Sequence, residues 1–107
     1  MIRSLPLIAM LVSTLHAEPT AKDVPYVGGG HERHVLDVYA PAGAKDLPVV
    51  FWIHGGGWVK GDKSDVALKP EWFMEKGFVF VSTNYRLLPD VDMDTLVRDV
   101  AKALGWI

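Results

Sequence analysis

Cysteine is absent, and with it disulfide staples, thiolate zinc sites and cysteine nucleophiles. Long runs of one charge sign are missing too. The 11 Lys and Arg are scattered among 13 Asp and Glu, for a formal charge of −2, which excludes the basic face of a nucleic-acid binder and a polybasic membrane anchor. No internal repeat or low-complexity tract occurs. What is present is a chain of 107 residues, half of them apolar, with four Trp, three Tyr and four Phe. That content excludes general disorder and supplies one small domain or part of a larger one.

Residues 1–17 read MIRSLPLIAMLVSTLHA, with one basic residue, Arg3, an apolar stretch to Leu15 and small Ala17 before Glu18. This is the order of a secretory signal peptide cleaved near Ala17. The stretch is short for a bilayer span and Pro6 weakens a helix there, which favours export over an uncleaved anchor. The expected location is periplasmic or extracellular, with no membrane span after cleavage. Residues 18–33, with Pro19, Pro25 and the Gly28–Gly30 turn, read as an extended lead-in, and residues 34–107 as the domain.

Within that domain, His34–Ala40 reads as a first strand at a sheet edge, closed by Pro41 and Gly43. Val49–His54 is a continuous run of β-branched and aromatic residues, as expected for a central parallel strand covered on both faces. A second such run, Phe78–Thr83, follows Gly77. The residues between them suffice for a crossover, with a short helix starting at Pro70 and offering Trp72 and Phe73 to the sheet. Met93, Leu96, Val97, Val100, Ala101, Leu104 and Ile107 form one apolar helical stripe, and Asp90, Asp92 and Asp94 favour its N-terminus. Strand, strand, helix, strand, helix is α/β order. No strand follows the last helix, so the expectation is a sheet interrupted in mid-crossover.

The chemistry-bearing string is His54-Gly55-Gly56-Gly57-Trp58, at the carboxyl end of the expected central strand, where open α/β sheets place their ligands. Glycines without Cβ atoms let backbone N–H groups face a bound oxygen, the requirement for stabilising the oxyanion of a tetrahedral acyl-transfer intermediate. A tight turn is the plainer reading of a bare glycine triplet, and Gly28–Gly30 is read that way. Near-misses fall on spacing. Gly57–Ser64 lacks the Walker spacing and His31-Glu-Arg-His34 lacks the zinc-protease spacing, while Asp90–Asp94 has Thr95 and Ala101 where a calcium loop needs Gly and Glu.

The stretches LDVYAPAG, PVVFWIHGGGWVKGDKS, GFVFVSTNYRLLP and DVAKALGWI together resemble the N-terminal part of α/β-hydrolase esterases of the HGGG group, which includes hormone-sensitive-lipase-like and kynurenine-formamidase-like carboxylesterases. The resemblance implies an α/β-hydrolase sheet cut before its nucleophile elbow. It implies oxyanion N–H groups at Gly56 and Gly57, with His54, Gly55 and Trp58 shaping the loop and Trp58 available to line an acyl pocket. By the same resemblance Asn84–Leu87 would hold the active-site edge of the sheet. Tyr85 and Arg86 are read here as structural, and an ion pair of Arg86 with Asp99 on the last helix is a separate expectation. The sequence contains no G-x-S-x-G, the family's nucleophile string. Ser64 and Ser82 carry no signal of a base partner, so no catalytic residue is assigned and the chain alone is expected to be inactive. No cofactor and no metal are expected. The implied function is that of an N-terminal part of a secreted serine carboxylesterase acting on a small ester or acyl substrate. The alternatives are a related acyl hydrolase (an arylformamidase or exported peptidase) and a non-catalytic remnant or binding module.

Overall fold

The computed structural model describes residues 16–107, so the leader read over residues 1–17 lies almost wholly outside them. Four strands and two helices follow in the order β1 (Ala21–Pro25), β2 (Val35–Tyr39), β3 (Val49–Ile53), α1 (Lys69–Glu75), β4 (Val79–Thr83) and α2 (Met93–Trp106). The strands form one mixed sheet in the spatial order β1-β2-β4-β3. β1 and β2 are antiparallel, β2 and β4 are antiparallel, and β3 lies parallel to β4 with Val49 opposite Val79 and Ile53 opposite Thr83. The β3–α1–β4 unit is the expected crossover.

Alternation along β4 builds two cores because successive side chains leave opposite faces. Val79 and Val81 join Leu36, Val38, Phe51 and Ala103 on the face covered by α2. Phe80 joins Tyr39, Val66, Val50, Trp52, Phe73 and Met74 on the α1 face, with the Phe73 and Phe80 rings stacked at 5.7 Å. Among the described residues the sheet is thus sandwiched between helices, the α/β arrangement the sequence implies.

Four expectations need correction. The supposed lead-in contains β1, whose Pro25 is tolerated because an outer strand need not donate on both sides. A register shift between Ala21 and Val24, where Asp23 has φ +55°, explains why the segment carries no clean alternation. With β1 outside it, β2 is an interior strand. β3 has β4 on one side only among the described residues, which leaves it half-buried and Val49 41% exposed.

The fourth correction concerns the helices. On α1, Phe73 packs inward, but Trp72 is exposed and sits beneath the Lys76 ammonium at 5.2 Å. On α2 the buried residues are Leu96, Asp99 and Ala103, whereas Val97 is 54% and Leu104 56% exposed and Met93 and Ile107 also face outward. Asp99 decides this orientation. Its carboxylate is drawn inward by Arg86 and His34, so the helix turns a polar residue to the sheet and part of its apolar stripe away. Asp92 caps α2 by accepting from the Thr95 N–H at 2.8 Å, and Asp94 pairs with Arg98 at 2.9 Å.

Candidate active site

β3 ends at Ile53, and the chain enters His54-Gly55-Gly56-Gly57-Trp58 at its carboxyl end. Two of these glycines are conformational necessities. Gly56 has φ +127° and Gly57 φ +63°, and a Cβ on Gly56 would collide with the Lys60 carbonyl, whereas one on Gly57 would meet open space. Trp58 adopts φ +69°, uncommon for a bulky residue. It is held there by the Leu88 N–H, which donates to its carbonyl at 2.9 Å.

Among the described residues the N–H groups of Gly56 and Gly57 donate to no protein acceptor, while the Gly56 carbonyl accepts from the Val59 N–H at 3.2 Å. A cavity of about 210 Å³ lies beside the loop, lined by His54, Gly55, Gly57, Trp58 and Tyr85. Gly56 does not line it. Two unengaged donors beside an open pocket at a parallel strand's carboxyl end form an arrangement able to receive an anionic oxygen.

His54 is buried and serves the loop from below. Its ring stacks on Tyr85 at 4.5 Å and 12°. Its Nδ1 lies 2.8 Å from the Gly55 carbonyl, which can only accept, so Nδ1 carries the proton in that contact. Tyr85, fully buried, donates its hydroxyl to the His54 carbonyl at 2.9 Å. Burial raises the Tyr85 phenol above its ordinary range. Gly61, at φ +112°, closes the loop: a Cβ there would collide with the Gly55 carbonyl and the His54 ring.

The exit of β4 is equally fixed. The Asn84 side chain accepts from the Lys63 N–H at 2.8 Å and donates to Asp62 at 3.0 Å, and the Asn84 main-chain carbonyl accepts from the Tyr26 hydroxyl at 2.7 Å. Arg86 meets Asp99 through Nε and Nη2, both at 2.8 Å, the ion pair expected from the sequence. Burial pushes the Asp99 carboxyl up, but hydrogen bonds from Arg86 and the nearby His34 outweigh it and hold the group at about 2.

His34 Nε2 lies 3.0 Å from Asp99 Oδ1. A His–Asp pair in such a fold invites a catalytic reading, yet both groups are buried and His34 Nδ1 accepts from the His31 N–H at 2.8 Å. The pair is a fastener for α2. Ser82 is buried and donates to the Lys63 carbonyl at 2.7 Å, so its hydroxyl is already committed.

Two features of this neighbourhood escape motif reading. One is Arg33, which reaches the loop from the turn before β2. The other is Lys63, whose ammonium is buried between Asp37 at 3.0 Å and Asp23 at 2.7 Å. Burial alone would lower Lys63, but hydrogen bonds to Asp23 and Asp37 raise it above the usual range. Neither has a motif, because both act through folded proximity across β1, β2 and the crossover.

A BD-FAE family profile matches residues 36–107. The chain belongs to this family of α/β-hydrolase esterases. It is 36% identical over 86 residues to a kynurenine formamidase from Danio rerio, covering 79% of this chain and 29% of that protein. It is 40% identical over 65 residues to a juvenile hormone esterase from Tribolium castaneum, covering 59% of this chain and 11% of the esterase. Among solved structures, esterase B from Lactobacillus Rhamnosis superposes with a TM-score of 0.73 at 26% identity, over 96% of this chain and 35% of that one. The chain therefore spans about a third or less of these relatives' lengths. Among the described residues no helix is long and apolar enough to cross a membrane.

Proposed function

We propose that this chain is the N-terminal, oxyanion-binding part of an exported serine carboxylesterase, whose nucleophile, acid and histidine are supplied by polypeptide beyond residue 107. Gly56 and Gly57 N–H groups receive the oxyanion of the tetrahedral intermediate. His54, Gly55 and Trp58 shape their loop, and Trp58 walls the acyl side of the pocket. The observation carrying this reading is the pair of unengaged N–H donors beside the cavity at the end of β3. An oxyanion cradle without a nucleophile binds rather than turns over. The reaction is ester hydrolysis, with a small ester as substrate. An arylformamide is the second reading, favoured by the likeness to kynurenine formamidase. The leader-like order of residues 1–17 supports export.

The test is hydrolysis of p-nitrophenyl butyrate. The purified 107-residue chain gives no turnover, whereas a product extended through the G-x-S-x-G elbow and the acid and histidine that follow it hydrolyses the ester and is inactivated by an organophosphonate. Turnover by the short chain alone would overturn the proposal, and a higher kcat/KM for an N-formyl arylamine would replace the ester reading by the amide one.

A further inference from the structure

Arg33 lies outside every motif and yet touches both stems of the glycine loop. Its Nη2 donates to the Gly61 carbonyl at 2.9 Å and lies 3.4 Å from His54 Nε2, the ring nitrogen left as acceptor once Nδ1 carries the proton. Its Nε donates to the Tyr85 carbonyl at 2.8 Å, and Nη2 is 3.4 Å from Asn84 Oδ1. Nη1 stands 3.9 Å from Asp62. One planar group thus joins the first residue of the loop, the glycine that closes it, and the main chain of Tyr85 and side chain of Asn84 at the exit of β4. Those partners lie 21 to 52 residues away in sequence.

From this geometry we infer that Arg33 is a positioning residue, which fixes the Gly55–Gly57 loop so that its N–H groups are held in place beside the pocket. The inference deepens the oxyanion reading and rests on it. A guanidinium suits the task because its donors form a rigid fork that meets several acceptors at once; a lysine offers one nitrogen on a flexible stem. The role differs from that of Arg86, which faces Asp99 and the underside of α2.

The test uses the full 107-residue chain labelled with 15N-glycine, whose ten glycines report separately on the loop and on the rest of the fold. Dimethyl phosphate serves as a tetrahedral oxyanion probe. In the unaltered chain the Gly56 and Gly57 amides shift on titration. In Arg33→Lys and Arg33→Gln these amides move or broaden before any probe is added, exchange with deuterium at least tenfold faster and respond at least tenfold more weakly to the probe, while Gly43 and Gly77 stay in place.

Loop glycines that keep their shifts, exchange and probe response in Arg33→Lys would overturn the positioning role. So would a Lys variant in which Gly43 and Gly77 collapse with the loop, because that marks a fold-wide role. An unaltered chain whose loop glycines ignore the probe would overturn the oxyanion reading instead, and the exchange rates would still decide what Arg33 holds in place.

Discussion

Replacing Asp99 by Asn should be among the most damaging conservative changes in the chain. The carboxylate is fully buried and accepts from Arg86 Nε and Nη2 at 2.8 Å and from the Arg86 backbone N–H at 3.1 Å, with His34 Nε2 at 3.0 Å. Every neighbour is a donor. An amide of the same shape turns its NH2 toward one of them, leaving a donor against a donor and the Arg86 charge without its counter-ion. Hydrogen bonds to charged groups contribute about 1.5–3 kcal/mol each, and removing one partner of a buried pair costs about 3–5 kcal/mol. Arg86 retains 27% exposure and can partly rehydrate, which places the loss near the lower figure, about 3 kcal/mol. With a urea slope of about 1–2 kcal/mol per molar for a chain of this size, the midpoint should fall by roughly 2 M. In the double variant with Arg86→Met, the second change should cost about 2 kcal/mol less than it does alone. A midpoint shift under about 0.5 M at pH 7, or additive costs in the cycle, would refute the claim that this pair sets the orientation of α2.

Acid should act through the same group. Asp99 and Asp62 are both held at about 2, below the carboxylate range, Asp62 by Asn84 and Ser64 against the upward push of burial. Their stabilising contribution is complete above about pH 4 and is lost as pH falls toward 2, so Asp99→Asn should flatten the acid limb of a stability–pH curve. The loop glycines should differ sharply. Gly57→Ala, with open space but φ +63°, should cost about 1 kcal/mol, whereas Gly56→Ala, driven into the Lys60 carbonyl, should cost several times more in thermal unfolding. Tyr85→Phe removes the donor to the buried His54 carbonyl and should cost about 1–3 kcal/mol by urea titration.

The sheet and the glycine loop were legible because local signals agree with the global fold. The two apolar runs are strands, the helices lie where Pro70 and the Asp-rich turn place them, and the HGGGW string stands at a strand's carboxyl end. The errors arise where partners distant in sequence decide. β1 was hidden by Pro25 and its bulge, since an outer strand is specified by the neighbour it pairs with. The face of α2 follows Asp99 rather than its apolar stripe, because one buried ion pair outweighs several half-buried side chains. Arg33 has no local signal at all. Its partners come from segments that only the fold brings within reach of one guanidinium.

The central claim, that Gly56 and Gly57 belong to a serine esterase's oxyanion cradle, is most directly tested by sequencing the source locus through and beyond codon 107. The account predicts an in-frame continuation encoding a further apolar strand and a G-x-S-x-G turn within a few dozen residues. A stop codon with no such continuation would contradict it and leave a loop that binds without a nucleophile to serve.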